Sequence, residues 1–204
     1  MGLGDLNGGS TVNKFIVIEG LDATGKSTLV ENLSSSLDAT RLVCPPEIMA
    51  PSLVKGPIRQ HFDSLSPLQR RAFYRFSNLI ASEDASRHLV GGDVVMDRYW
   101  TSTAAFAAMD DDFEHDVQLG EYPPEIRVPD LVILLLVDEK NRLKRLQGRG
   151  EAETNEELEL ASNIEKRNAV ISAYKRFNVV IIDTSDKNPM QVCAEAIEII
   201  EELR

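Results

Sequence analysis

The stretch FIVIEGLDATGKSTLVENL, Phe15 to Leu33, constrains the fold of this chain more tightly than any other. Its aliphatic opening, FIVIE, reads as a β-strand buried on both faces. The run then breaks into Gly20-Leu21-Asp22-Ala23-Thr24-Gly25-Lys26-Ser27, which fits G-x-x-x-x-G-K-[ST], and from Ser27 onward it resumes with helical spacing. Each residue type in that pattern has a task. The glycines let the backbone curl so that N–H groups point inward, and the following helix offers the positive end of its dipole. Lys26 is placed to reach terminal phosphates and Ser27 to ligate magnesium, with the stretch from Gly20 to Thr28 as the binding loop for ATP. A strand before the loop and a helix after it are what such a loop requires, so the pattern demands an α/β fold that binds a nucleoside triphosphate.

The rest of the chain agrees with that class. Short apolar runs at 15–19, 41–44, 93–97, 131–137 and 178–183 read as buried strands. Helical spacing fills 27–37, 67–89, 101–109, 139–147, 156–177 and 189–203. The alternation predicts a five-stranded parallel sheet with helices on both faces, the three-layer α/β/α sandwich of P-loop NTPases. Two segments interrupt it. Residues 110–129, acidic and proline-bearing, are expected to form a surface excursion beside an acceptor site. Residues 148–157, with two glycines and several carboxylates, are expected to form a mobile LID. Residues 14–204 read as a single domain, preceded at 1–13 by a flexible lead-in or cloning remnant without the features of a targeting peptide.

Composition excludes several functions. A net charge of -11 and a pI near 4.8 argue against nucleic-acid partners, which call for a cationic surface. No apolar run approaches the ~20 residues of a membrane span. Cys44 and Cys193 are read as buried free thiols in a reducing compartment, and His61, His88 and His115 lack metal-ligand spacing. A guanine-reading Asn-Lys-x-Asp element does not follow the loop, which argues against a GTPase, and a motor needs a longer chain.

The third strand ends in Asp97-Arg98-Tyr99-Trp100. Ligands of open parallel sheets bind beyond the carboxyl ends of the strands, so Asp97 and Arg98 are expected in the same crevice as Lys26. A carboxylate there serves a magnesium shell or an attacking oxygen, and an arginine grips a second phosphate through its bidentate fork.

EGLDATGKST, MDRYWTSTAAFA, PDLVILLL and RLKRLQGRG together resemble the thymidylate-kinase-like family of nucleoside monophosphate kinases, over about residues 14–200. RRAFYRFSNLIASE, DRYWTSTA and RLQGRG are most similar to its mitochondrial UMP-CMP kinase branch. The resemblance implies ATP as donor with Mg2+, a pyrimidine nucleoside monophosphate as acceptor, and a homodimer through the helices flanking the third strand. It implies a mitochondrial location, with the cytoplasm as the alternative. It places Asp22 at the acceptor sugar's 3′-hydroxyl, Arg98 on the acceptor phosphate, Asp97 near magnesium, Phe106 beside the 2′ position and Phe76 on the base. Thr184 and Ser185, after Asp183, border the donor adenine.

Two departures from thymidylate kinases stand out. Their Phe-Pro-Glu-Arg after the second strand is replaced by Cys44-Pro45-Pro46-Glu47-Ile48, which keeps Glu47 on the acceptor side but loses an arginine; Arg59 and Arg71 are the candidate substitutes. The arginine that reads the thymine carbonyl falls at Ile80, which favours UMP or CMP, ribo or deoxy, over dTMP. Thymidylate kinase stays as the alternative, and a non-catalytic nucleotide-binding module as a more distant one. Arg142, Arg145 and Arg149, three and four apart, are expected on one helical face running into the LID. Because Ala23 stands where some family members keep a catalytic arginine, the resemblance assigns that task to Arg145 and Arg149, with Arg142 on ATP.

Overall fold

A computed structural model describes residues 12–54, 57–148 and 155–204. Its five strands, β1 (Phe15–Gly20), β2 (Thr40–Val43), β3 (Val94–Asp97), β4 (Leu131–Leu136) and β5 (Val180–Asp183), form one sheet in the order β2-β3-β1-β4-β5. Every neighbouring pair is parallel. The strands alternate with α1 (Lys26–Leu37), α2 (Pro51–Val54), α3 (Pro57–Asp63), α4 (Pro67–His88), α5 (Trp100–Ala107), α6 (Glu139–Gly148), α7 (Asn155–Ser162), α8 (Ile164–Tyr174) and α9 (Pro189–Glu201). This is the predicted three-layer α/β/α class. No helix among the described residues is long and apolar enough to cross a membrane.

The two-residue period of β1 divides the core. Phe15 and Val17 pack with Ala81 and Ala85 of α4 and Trp100 and Ala104 of α5, while Ile16 and Ile18 pack with Leu29 and Leu33 of α1 and Val192 and Ala196 of α9. Because β1 is central and covered on both faces, all six of its residues are buried. The expectation of two-sided burial does not hold at the sheet's edges. Val180 and Ile181 of β5 are 38% and 43% exposed, and the residues of β2 range from half-buried to exposed, since each of these strands has a neighbour on one side only.

Three further differences have local causes. The helix expected over 156–177 is two helices, because the Asn163 side chain accepts from the Lys166 N–H and starts α8 anew. The short helices α2 and α3, each opened by a proline, fall in a stretch without a periodic apolar pattern. The segment 110–129 is no free excursion: Val117 and Ile126 enter the core, and the Trp100 indole donates to the Glu121 carbonyl at 2.8 Å. Most of the expected LID, including Arg149, lies outside the described residues.

Candidate active site

The loop after β1 takes a shape that its glycines permit. Gly20 has φ 142°, and a Cβ there would stand 2.5 Å from the Leu135 carbonyl oxygen and 2.9 Å from Thr24 Oγ1. Gly25, φ 102°, is the N-cap of α1 and makes no side-chain cap, which leaves the N–H groups of the first turn to a ligand at the helix N-terminus. Thr24 Oγ1 donates to the Leu21 carbonyl at 2.9 Å, and Lys26 Nζ donates to the same oxygen at 2.8 Å. Lys26 is 6% exposed and stands 3.7 Å from Asp22 Oδ1. Burial, then the charge of Arg98, push its ammonium down to about 8 against the pull of Asp22, Asp97 and Glu19.

β3 delivers the second group. Asp97 is in register with Ile18 of β1, which sets its carboxylate beside the loop, and Ser27 Oγ donates to Asp97 Oδ2 at 2.7 Å. A hydroxyl in the first turn of α1 and a carboxylate at the end of β3, both hard oxygen donors, fit Mg2+, an ion that takes one or two protein ligands and fills its shell with water and phosphate oxygens. Arg98 follows with φ 65°, its N–H bound to the Ile18 carbonyl at 3.0 Å. Its Nη2 donates to Asp22 Oδ1 at 2.5 Å and its Nη1 to Ser102 Oγ at 3.1 Å. The guanidinium lies over the Phe106 ring, 5.5 Å from the centroid. Burial opposes its charge, but Asp22, Tyr174, Asp97 and Glu19 outweigh that and hold it protonated.

On the other side of the loop, Arg145 of α6 reaches across to the end of β5. Nη1 donates to Thr184 Oγ1 at 3.0 Å and Nη2 to the Thr184 carbonyl at 2.7 Å, with the Ala23 and Thr24 carbonyls at 3.4 and 3.5 Å from Nη1. Thr184 Oγ1 itself bonds the Thr24 carbonyl at 3.1 Å, and Ser185 Oγ accepts from the Asp138 N–H. The structure thus brings Gly20–Ser27, Asp97, Arg98, Phe106, Arg145 and the 184–185 turn together.

The remaining predicted residues stand elsewhere. Arg142 is 1% exposed and donates two 2.8 Å bonds to Glu139 on its own helix, with Arg167 Nη1 3.3 Å from the same Oε1 that Arg142 Nη2 holds; none of its bonds among the described residues reaches the loop. Arg71 is clamped by Asp110, Asp112 and Asp116 at 2.7 to 3.2 Å. Arg59 holds Asp63 at 3.1 Å and the Tyr74 hydroxyl, with its guanidinium over the Tyr74 ring. Phe76 is 54% exposed, whereas Phe73, three residues earlier, is buried and stacked on Phe62 with ring centroids 4.3 Å apart. Glu47 lines a surface cleft with Arg41 and Asp84, at the edge of the sheet.

Sequence reasoning missed one buried group in the site. Glu19, read only as the end of a strand, is fully buried between β1 and the start of α5 and bonded to Tyr99 and Ser102. The signal that was present is a carboxylate closing an otherwise apolar strand.

The thymidylate kinase family model matches residues 18–196. Mitochondrial UMP-CMP kinase 2 of Homo sapiens is 37% identical over 79% of this chain, which spans 36% of the human protein's length. A probable thymidylate kinase of Methanocaldococcus jannaschii is 28% identical, over 91% of this chain and 94% of its own. Among solved structures, thymidylate kinase from Candida albicans superposes with a TM-score of 0.67 at 22% identity, covering 93% of this chain and 92% of that one. Deoxyadenosine kinase from M. mycoides gives 0.63 at 17%, over 92% and 99% of the two chains, so these two likenesses concern the fold.

Proposed function

The chain belongs to the thymidylate kinase family of nucleoside monophosphate kinases, and from that membership we propose that it transfers the γ-phosphoryl group of ATP to a pyrimidine nucleoside monophosphate, CMP, UMP or their deoxy forms. The observation that carries this reading is the 2.5 Å bond between Arg98, at the end of β3, and Asp22, inside the loop after β1. A phosphate held by Arg98 is thereby set against the phosphates held by the loop.

In this reading an oxygen of the acceptor phosphate attacks the γ-phosphorus and ADP departs with the bridging oxygen. The protein supplies position and charge in place of covalent chemistry. Lys26 and the free N–H groups of the first turn of α1 hold the donor phosphates. Asp22 gives up Arg98 to the incoming phosphate and turns to the acceptor sugar. Arg145 ties the loop to the 184–185 turn that borders the adenine, and Arg149 is the candidate to reach the transferring group. Ser27 and Asp97 would hold Mg2+, which when bound neutralises charge on the donor's phosphate oxygens.

The choice of a UMP or CMP type of acceptor is supported by the 37% identity to the human mitochondrial UMP-CMP kinase 2 and by an aliphatic Ile80 where the resemblance puts a thymine-reading arginine. The rival acceptor, dTMP, is favoured by full-length likeness to the archaeal thymidylate kinase. A coupled ADP-release assay with CMP, UMP, dCMP, dUMP and dTMP at equal concentration separates them. Preference for the cytosine or uracil nucleotides is expected, and preference for dTMP overturns the assignment. Homodimerisation through α4 and α5 is part of the same proposal, with a dimer mass by light scattering as its check.

A further inference from the structure

We infer that Glu19 is a positioning residue for Arg98: from the end of β1 it caps the start of α5 and, through Ser102, anchors one edge of the guanidinium inside the crevice. The inference rests on the reading that Arg98 grips the acceptor phosphate.

The helix α5 begins at an unusual N-cap. Tyr99 has no side-chain acceptor for the orphan N–H groups of the first turn, and its side chain makes no cap bond. The neighbouring strand supplies the acceptor instead. Glu19 Oε1 takes the Tyr99 N–H at 3.0 Å and the Ser102 N–H at 3.1 Å, while Oε2 takes the Ser102 hydroxyl at 2.5 Å.

Proton accounting then fixes the rest of the network. Since the single Ser102 proton goes to Glu19, Ser102 Oγ must accept in its other contacts. It accepts from Arg98 Nη1 at 3.1 Å and from the Tyr174 hydroxyl, 2.8 Å away. Arg98 is therefore held at two edges of different character. The Nη2 edge rests on Asp22, 26% exposed and exchangeable for a phosphate. The Nη1 edge rests on Ser102 and Glu19, 7% and 0% exposed, which no ligand displaces. When phosphate replaces Asp22, the inner edge keeps the guanidinium from swinging out, and the left-handed backbone at Arg98 shows that this residue is held against its local preference.

The charged and titratable groups that face Glu19 come from every side: Arg98 after β3, Lys26 of α1, Tyr174 of α8, Tyr122 before β4 and Cys44 after β2. Burial pushes the Glu19 carboxyl up to about 7, against the hydrogen bonds from Ser102 and the charge of Arg98. Protonation of Oε2 reverses its bond to Ser102, so that the oxygen that carries Arg98 then receives a proton from Glu19 as well.

Two variants test the relay. Ser102→Ala keeps the backbone caps on Glu19 and removes only the hydroxyl. It is expected to raise the acceptor KM about tenfold while leaving the ATP KM near wild type, with a lower melting temperature because Glu19 Oε2 and the Tyr174 hydroxyl lose a buried partner. Glu19→Gln is expected to abolish an acidic limb, centred near pH 7 in the wild type, in the pH profile of acceptor kcat/KM. A Ser102→Ala enzyme with wild-type acceptor KM and pH profile would show Glu19 to be a helix cap only, and decides the matter independently of Glu19→Gln. Wild-type protein that phosphorylates none of the five pyrimidine monophosphates overturns the functional reading itself, a different result from active wild type with indifferent variants.

Discussion

Arg98 and Arg71 are both arginines expected to serve the acceptor phosphate, and the protein treats them in opposite ways. Arg98 sits at the carboxyl ends of β1 and β3 with one partly exposed carboxylate, Asp22, on its outer edge. Arg71 sits on α4 with three carboxylates, Asp110, Asp112 and Asp116, closed around it, and its own side chain is 4% exposed. The bonds from Asp116, working against burial, raise its pKa, as do those from Asp110 and Asp112. The contrast teaches that a cation near a phosphate site becomes available to substrate only when its resident anion is exchangeable. Arg98 has the ionic environment of a ligand-binding group, and Arg71 that of a clasp fastening the acidic segment to α4.

Mutations at the two places should therefore fail differently. The largest expected effect is on the crevice: Lys26→Ala or Arg98→Ala lowers kcat/KM by about 10³-fold or more, with little change in melting temperature. Near-normal turnover by either variant would break the comparison from one side. Arg71→Ala leaves mutually repelling carboxylates, one of them nearly buried, and should cost on the order of 2–3 kcal/mol of stability, read by urea denaturation. The protein that remains folded should keep a specific activity within a few-fold of wild type; a collapse of activity without loss of stability would move Arg71 into the site.

Smaller effects sharpen the picture. Glu19 has its carboxyl raised from 4.5 to about 7 in the folded protein, so the folded state binds the proton more tightly than the unfolded chain. Its favourable contribution is present at low pH and is lost as pH rises through 7. Glu19→Gln should accordingly be more stable than wild type at pH 8, by on the order of 2 kcal/mol, and lose that advantage near pH 5, which melting curves at the two pH values will show. Arg145→Ala, which unties the loop from Thr184, should raise the ATP KM about tenfold with the acceptor KM unchanged. Finally, Lys26, at about 8 in the free protein, should gain a fraction of a proton on meeting ATP. Calorimetry at pH 8 in two buffers of different ionisation enthalpy measures that uptake.

The same contrast marks what was legible in the sequence. The loop from Gly20 to Ser27 and the Asp97-Arg98 pair could be read because each is a local motif attached to a buried strand, and the parallel register of β1 and β3 then brings them together. The Arg71 clasp could not, because its partners lie 39 to 45 residues away and a run of aspartates reads as solvated surface unless its contacts are known. Glu19 was hidden for the reverse reason. It ends a strand whose other residues are apolar, and its function depends on a capping deficit at Tyr99 that no periodicity reports. Arg142 shows the limit of helical spacing: three residues before Arg145, it turns inward to Glu139 while Arg145 reaches the loop.

The central claim is that the two sides of the crevice hold two phosphates in line for transfer. The most direct measurement mixes excess protein with γ-labelled ATP, magnesium and CMP or UMP for a single turnover and separates the products. The account predicts label in the nucleoside diphosphate, with Arg98→Ala nearly silent. Label appearing only as inorganic phosphate, or label transferred equally well without Arg98, would contradict it.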